Sequence, residues 1–95
     1  MPDTDRTLAR RFIVRGRVQG VGFRYFVHRH ATRLGLTGRC RNHYDGSVEI
    51  EVEGDRSLVE DLIQQVKVGP RAAHVTDTKV AWSPHQGRFS GFEIR

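Results

Sequence analysis

Val14-Arg15-Gly16-Arg17-Val18-Gln19-Gly20-Val21-Gly22-Phe23-Arg24 is the stretch across which this chain changes its period. Leading into it, Phe12 and Val14 alternate with Arg11, Ile13 and Arg15, the period of two expected of a strand over Leu8 to Arg15. Beyond it, Phe23, Phe26, Val27, His30, Ala31 and Leu34 fall at helical spacing on one face, and Gly35 ends the run. The stretch is therefore a strand-to-helix corner carrying three glycines, the residue that takes positive φ or lets a ligand come close. Backbone N–H groups of such a corner, together with the free N–H groups opening the helix, can converge on an anion. Arg24 falls in the first helical turn, where its planar fork suits two oxygens of a phosphate. Glycines at such a corner can equally do no more than make the turn, and spacing alone leaves both readings open. The GxxxxGK[ST] pattern is absent, and GxGxxG fails because Tyr25 stands at its third glycine.

Working outward, Leu36–Asn42 and Ser47–Glu53 read as a hairpin. Val48, Ile50 and Val52 point one way and Glu49, Glu51 and Glu53 the other, as in a sheet with one wet face. Tyr44-Asp45-Gly46 fits a three-residue turn with Gly46 left-handed. That turn pairs His43 with Ser47, sets Arg41 opposite Glu49 and Arg39 opposite Glu51, and directs Cys40 and Asn42 inward. An inward Asn at a strand end needs partners. From the residues alone, a hydrogen bond to the turn backbone is favoured over a ligand role. His30 reads as a packing residue and His28 as solvent-facing, and neither has metal-ligand spacing.

Asp55 is a candidate N-cap for a second helix, with Leu58, Val59, Leu62, Ile63 and Val66 as its apolar stripe and Gly69-Pro70 as its stop. His74 to Trp82 is a weaker strand with Thr78, Val80 and Trp82 on one side, Ser83 to Arg88 a loop, and Phe89 to Arg95 a short closing strand. The order βαββαβ plus a terminal strand predicts an antiparallel sheet with two helices on one face, a ferredoxin-like α/β sandwich of the α+β class. A flexible tail is expected over residues 1–7 and a single domain over 8–95.

Ninety-five residues allow one modest core. No apolar run spans a membrane, Met1 to Thr7 lacks a signal-peptide core, and the single Cys40 cannot form an internal disulfide, so a cytoplasmic setting is expected. Charge is uneven. Residues 1–43 hold ten Arg against Asp3 and Asp5, a net of +8, while residues 44–95 carry a net of −3. An anionic partner is implied, small molecule or nucleic acid.

The first motif, Val14-x-Gly16-x-Val18-Gln19-Gly20-Val21-Gly22-Phe23-Arg24, resembles that of the acylphosphatases at every fixed position. Gly38-Arg39-Cys40-Arg41-Asn42-His43-Tyr44-Asp45-Gly46-Ser47-Val48, continuing to Gly54, is similar to that family's second motif. Gly69-Pro70, Ala73, Val75, Trp82 and the ending Gly91-Phe92-Glu93-Ile94-Arg95 extend the likeness over nearly the whole chain. Arg39 departs from it, standing where the family usually has an aromatic; lying opposite Glu51, it should affect stability more than chemistry.

The resemblance implies hydrolysis of an acyl phosphate to a carboxylate and inorganic phosphate; no carboxylate cluster accompanies the loop, so no metal or cofactor is expected, and nothing demands more than a monomer. It implies that Gln19, Gly20, Val21, Gly22, Phe23 and Arg24 hold the phosphoryl group, that Asn42 orients the attacking water, and that phosphate or sulfate competes with substrate. Two other classes share some of these features. RNA-recognition motifs have this element order, but they stack bases on exposed aromatics where the central strands here carry Arg and Glu. A non-catalytic or substrate-restricted relative would keep the fold, though both Arg24 and Asn42 are present.

Overall fold

The structure, a computed structural model, describes residues 7–84 and 89–95, with side chains from 10–81 and 89–95. Along the chain run β1 (Thr7–Arg17), α1 (Phe23–Arg33), β2 (Thr37–Asn42), β3 (Val48–Asp55), α2 (Arg56–Val68), β4 (His74–Pro84) and β5 (Phe92–Ile94). The strands form one sheet in the order β4-β1-β3-β2-β5. This is the ferredoxin-like α+β architecture the pattern predicts, with one correction. β5 runs parallel to β2, pairing Gly38 with Phe92 and Cys40 with Ile94, so the sheet is mixed. The expected tail lies outside the described residues except for Thr7, which already begins β1.

The core closes between the sheet and the two helices. Phe12, Val14, Cys40, Val48, Ile50 and Val52 from the strands meet Phe23, Val27 and Ala31 of α1 and Val59, Leu62, Ile63 and Val66 of α2, all buried. Both helices end as their sequences dictate. Past α1, Gly35 takes φ 73°, its N–H reaches Thr32 O, and Leu36 N–H reaches Ala31 O, a Schellman closure. The Asp55 carboxylate caps α2 by accepting from Ser57 N at 3.0 Å, and Gly69 ends it with φ 72°.

The hairpin register is as read from its turn. His43 N donates to Ser47 O, Gly46 has φ 91°, and Arg41 and Arg39 lie opposite Glu49 and Glu51. The wet face is not uniformly wet, however. Glu49 and Glu53 are each only 3% exposed. For Glu49 the reason is a cage of donors: Arg11 comes across from β1, and Arg41 and His43 close over it from β2 and the turn. Arg39 hydrogen-bonds Glu51 at 2.6 Å, and its guanidinium lies 5.9 Å from the centre of the Phe89 ring. An aromatic therefore meets position 39 from another part of the chain.

Three narrower expectations are adjusted. β4 extends through Pro84, while residues 85–88 of the expected loop and the Trp82 side chain lie outside what is described. The closing strand is only Phe92–Ile94. His28 is half-buried rather than solvent-facing, its ring meeting Phe92 edge-on at 6.1 Å. His30 packs as read, 4.4 Å from the Phe26 ring, and burial lowers its pKa, with Arg33 and Arg29 adding to the effect.

Candidate functional site

The corner that closes β1 is fixed from behind before it can face a ligand. Between Arg15 and Gly16 the pairing of β1 with β4 shifts register, and Gly16, at φ 125°, sits against His74 O so closely that a Cβ would lie 2.1 Å away. Gly20 and Gly22 differ. Their φ values are 73° and 78°, yet a Cβ on either would meet no heavy atom within 4 Å. Left-handed backbone, not crowding, calls for glycine there. Gly22 is also the N-cap of α1, so the N–H groups that open the helix have no intrahelical partner and project beside the loop.

Gln19 joins this loop to the hairpin. Its Nε2 donates to His43 O at 2.8 Å and to Ser47 O at 2.9 Å, the two carbonyls that flank the turn. The side chain is thereby committed to the hairpin, so any anion contact at position 19 is left to its backbone. The turn is held further by Asp45, whose Oδ1 accepts from Ser47 N at 3.0 Å and from Ser47 Oγ at 2.6 Å, while its Oδ2 accepts from Arg15 at 2.9 Å. The Ser47 hydrogen bonds, with Arg15 adding to them, hold the Asp45 carboxyl well below the usual carboxylate range.

Asn42 ends β2, next to that turn. Among the described residues its side chain makes no hydrogen bond, and it is exposed. The turn role favoured from the residues alone is thus corrected: Asp45 and Gln19 perform it. Asn42 shares its strand face with Cys40, whose thiol approaches Arg24 O at 3.7 Å. Two residues along a strand span about 6.6 Å, so Asn42 stands one side chain beyond the point where the first turn of α1 rests on β2. The Arg24 guanidinium is oriented by a hydrogen bond from Nη1 to the backbone O of Arg95, 2.6 Å away. The sequence had placed the loop with Arg24 and Asn42 in two separate motifs; Gln19 joins the loop to the turn beside Asn42, while Arg24 and Asn42 line different clefts.

Two clefts adjoin the loop. One, of about 600 Å³, is lined by Gln19, Arg41, Asn42, His43 and Tyr44. The other, of about 230 Å³, is lined by Val18, Gly20, Gly22, Phe23, Arg24, Tyr25 and Ile94. The more apolar groove beside α1, formed by Tyr25, Phe26, Arg29 and Pro70 among others, meets the second cleft at Gly22 and Tyr25. Cys40 is no candidate nucleophile, because burial drives its thiol up to about 12 despite the Arg24 charge nearby. His43 lies just past the end of β2, lines the same cleft as Asn42, and is bonded to Glu49 at 2.7 Å. Among the described residues no three His, Cys, Asp or Glu side chains are grouped to hold a metal ion. No helix of the described residues is long and apolar enough to cross a membrane.

Sequence reasoning missed Gln19's side-chain role and the donors gathered on Glu49. The hairpin register did reveal Arg41 opposite Glu49, but Arg11 reaches that carboxylate from 38 residues away, and no local pattern signals it.

A family model described as acylphosphatase matches residues 10–94. An acylphosphatase of Caldivirga maquilingensis is 53% identical over 88 residues, covering 90% of each chain. One from Salinibacter ruber is 50% identical over 82 residues, covering 86% of each. The crystal structure of the Bacillus subtilis acylphosphatase superposes with a TM-score of 0.90 at 42% identity, over 93% of this chain and 98% of that one.

Proposed function

Because the chain belongs to the acylphosphatase family and is an enzyme that hydrolyses acyl phosphates, we propose that its loop and Arg24 hold the phosphoryl group while Asn42 presents the attacking water. The observation that carries this reading is the pair of hydrogen bonds from Gln19 to His43 O and Ser47 O, which couples the anion loop to the hairpin bearing Asn42.

Phosphoryl transfer passes through a loose transition state with charge spread over the equatorial oxygens, so positioning and electrostatic stabilisation dominate. The backbone N–H groups of Gln19 to Phe23 and the Arg24 fork supply fixed donors for those oxygens. Asn42 accepts from the water through its side-chain carbonyl and aims the water's oxygen at phosphorus. The new O–P bond forms as the P–O bond to the acyl group breaks, and the electron pair leaves with the carboxylate. The conjugate acid of that carboxylate has a pKa of about 4, so it departs without a general acid. The water's proton passes to a phosphoryl oxygen of the substrate.

Residues 8–95 act as a single domain and as a monomer, since the loop, Arg24 and Asn42 all come from one chain. The proposed reaction runs without a metal or cofactor. A nucleic-acid partner is disfavoured because the outer faces of β1 and β3 carry paired Arg and Glu in place of stacking aromatics. The buried thiol of Cys40 suits a reducing, cytoplasmic setting.

Phosphate release from benzoyl phosphate, measured against a phosphate monoester of similar size, tests the reading. Rapid turnover of the first and little of the second is expected, because an alkoxide leaving group needs an acid this site lacks. Equal rates on the two would sink it.

A further inference from the structure

Glu49 is a buried, charged group that the mechanism above leaves unused. It lies on β3, on the sheet face away from the helices, 3% exposed and directly opposite Arg41 of the strand that carries Asn42. Its Oε1 accepts from Arg41 Nε at 3.0 Å and from His43 Nε2 at 2.7 Å, and its Oε2 accepts from Arg11 Nε. Arg41 and His43 are the two neighbours of Asn42 in sequence. Alternation puts them on the outer face and Asn42 on the inner one. The residues either side of Asn42 are thus tethered to one carboxylate, while the Asn42 side chain, on a backbone paired with Val48, has no hydrogen bond among the described residues to fix it.

We propose that Glu49 is a positioning residue for Asn42: by holding Arg41 and His43 from behind the sheet it sets the backbone at position 42, and so the direction in which the Asn42 amide meets the attacking water. Closing the turn does not require it. Asp45 and Gln19 already hold Ser47 and His43. Stability alone does not explain the choice of a carboxylate either, since an intact buried ion pair gains little over an apolar replacement once desolvation is counted, even though neutralising Glu49 in place leaves its cations unpaired and destabilises the fold. What the cluster does supply is rigidity at residues 41 to 43. Of the loop, only the Gln19 side chain reaches the cluster, at the His43 carbonyl, and neither the loop N–H groups nor Arg24 bonds to it, so phosphate binding should be nearly indifferent to Glu49.

The proposal rests on the reading of Asn42 as the residue that orients the water, and a double-mutant cycle separates the two. Glu49→Gln, Asn42→Ala and the double variant are assayed for kcat on benzoyl phosphate, for the inhibition constant of inorganic phosphate, and for the urea midpoint. Misplacing a reacting group by about 1 Å costs on the order of a hundredfold. Glu49→Gln should therefore lower kcat by about that factor, leave phosphate inhibition within about twofold of the parent, and lower kcat no further once Asn42 is Ala. His43→Ala, which leaves Glu49 paired with both arginines, should give a smaller loss of the same kind, about tenfold, and serves if Glu49→Gln does not fold. Parental kcat in both variants, a loss additive with Asn42→Ala, or an equal weakening of phosphate inhibition overturns the positioning role. Full activity in Asn42→Ala instead overturns the reading beneath it.

Discussion

Replacing Gly16 with alanine should unfold the protein far more readily than the same change at Gly20, although both glycines belong to one motif, Gly16 at the end of β1 and Gly20 in the loop beyond it. At Gly16 two costs add. Its φ of 125° strains any residue with a Cβ, and that Cβ would lie 2.1 Å from His74 O and 2.8 Å from Thr76 N, both of them backbone atoms of β4. Backbone strain costs about 1–3 kcal/mol and overpacking about as much again, so Gly16→Ala should lose about 4 kcal/mol. At Gly20 a Cβ meets nothing within 4 Å, and only the φ of 73° opposes it. A single left-handed alanine costs about 1–2 kcal/mol. Urea unfolding followed by circular dichroism, with orthophosphate inhibition measured on the same preparations, separates the two. Gly20→Ala should keep most of its stability but bind phosphate more weakly, as the amide it carries turns away. Near-parental stability of Gly16→Ala, or equal losses at the two positions, would show that the loop is not braced against β4 as described.

Acid should weaken the fold through Glu49. Burial acts to raise its pKa, but hydrogen bonds from His43, Arg11 and Arg41 outweigh that and lower it from 4.5 to about 2. A carboxylate whose pKa is depressed in the folded state adds stability that is present above the unfolded value and is lost as pH falls toward the folded one. Stability should therefore decline between pH 4.5 and about 2, by roughly 3 kcal/mol from this group, whose side chain is 4% exposed. Urea midpoints measured across that range should slope in the parent and flatten in Glu49→Gln; identical slopes would remove Glu49 as the cause. Metal chelators should leave turnover of benzoyl phosphate unchanged, since the described residues offer no metal-binding group. A loss of activity restored by magnesium would point to a different phosphoryl-transfer site.

Much of this was legible because it is local. The change from period two to period 3.6 across Val14 to Arg24 marked β1 and α1, Asp55 announced the cap of α2, and Tyr44-Asp45-Gly46 set the hairpin register to the residue. What stayed hidden depends on distant partners. A strand of three residues such as Phe92–Ile94 carries no sign of its direction, so its parallel pairing with β2 comes only from the fold. Glu49 looked solvated by alternation, and it is buried because Arg11 arrives from the neighbouring strand. Asn42 looked like a turn residue because Asn often is one. Here Gln19, 24 residues before His43, takes over part of that work and leaves the Asn42 side chain free of hydrogen bonds among the described residues.

The division of labour between Arg24 and Asn42 is tested most directly by orthophosphate inhibition of the two alanine variants, read beside their kcat. In the proposed mechanism Arg24 contacts the phosphoryl oxygens in both ground and transition states, so Arg24→Ala should weaken inhibition and also lower kcat by about 10³- to 10⁵-fold. In the same proposal Asn42 acts on the water alone. Asn42→Ala should lower kcat severely while phosphate inhibits it about as well as the parent. An Asn42→Ala enzyme with full turnover, or one that loses phosphate inhibition as completely as Arg24→Ala, would contradict the account.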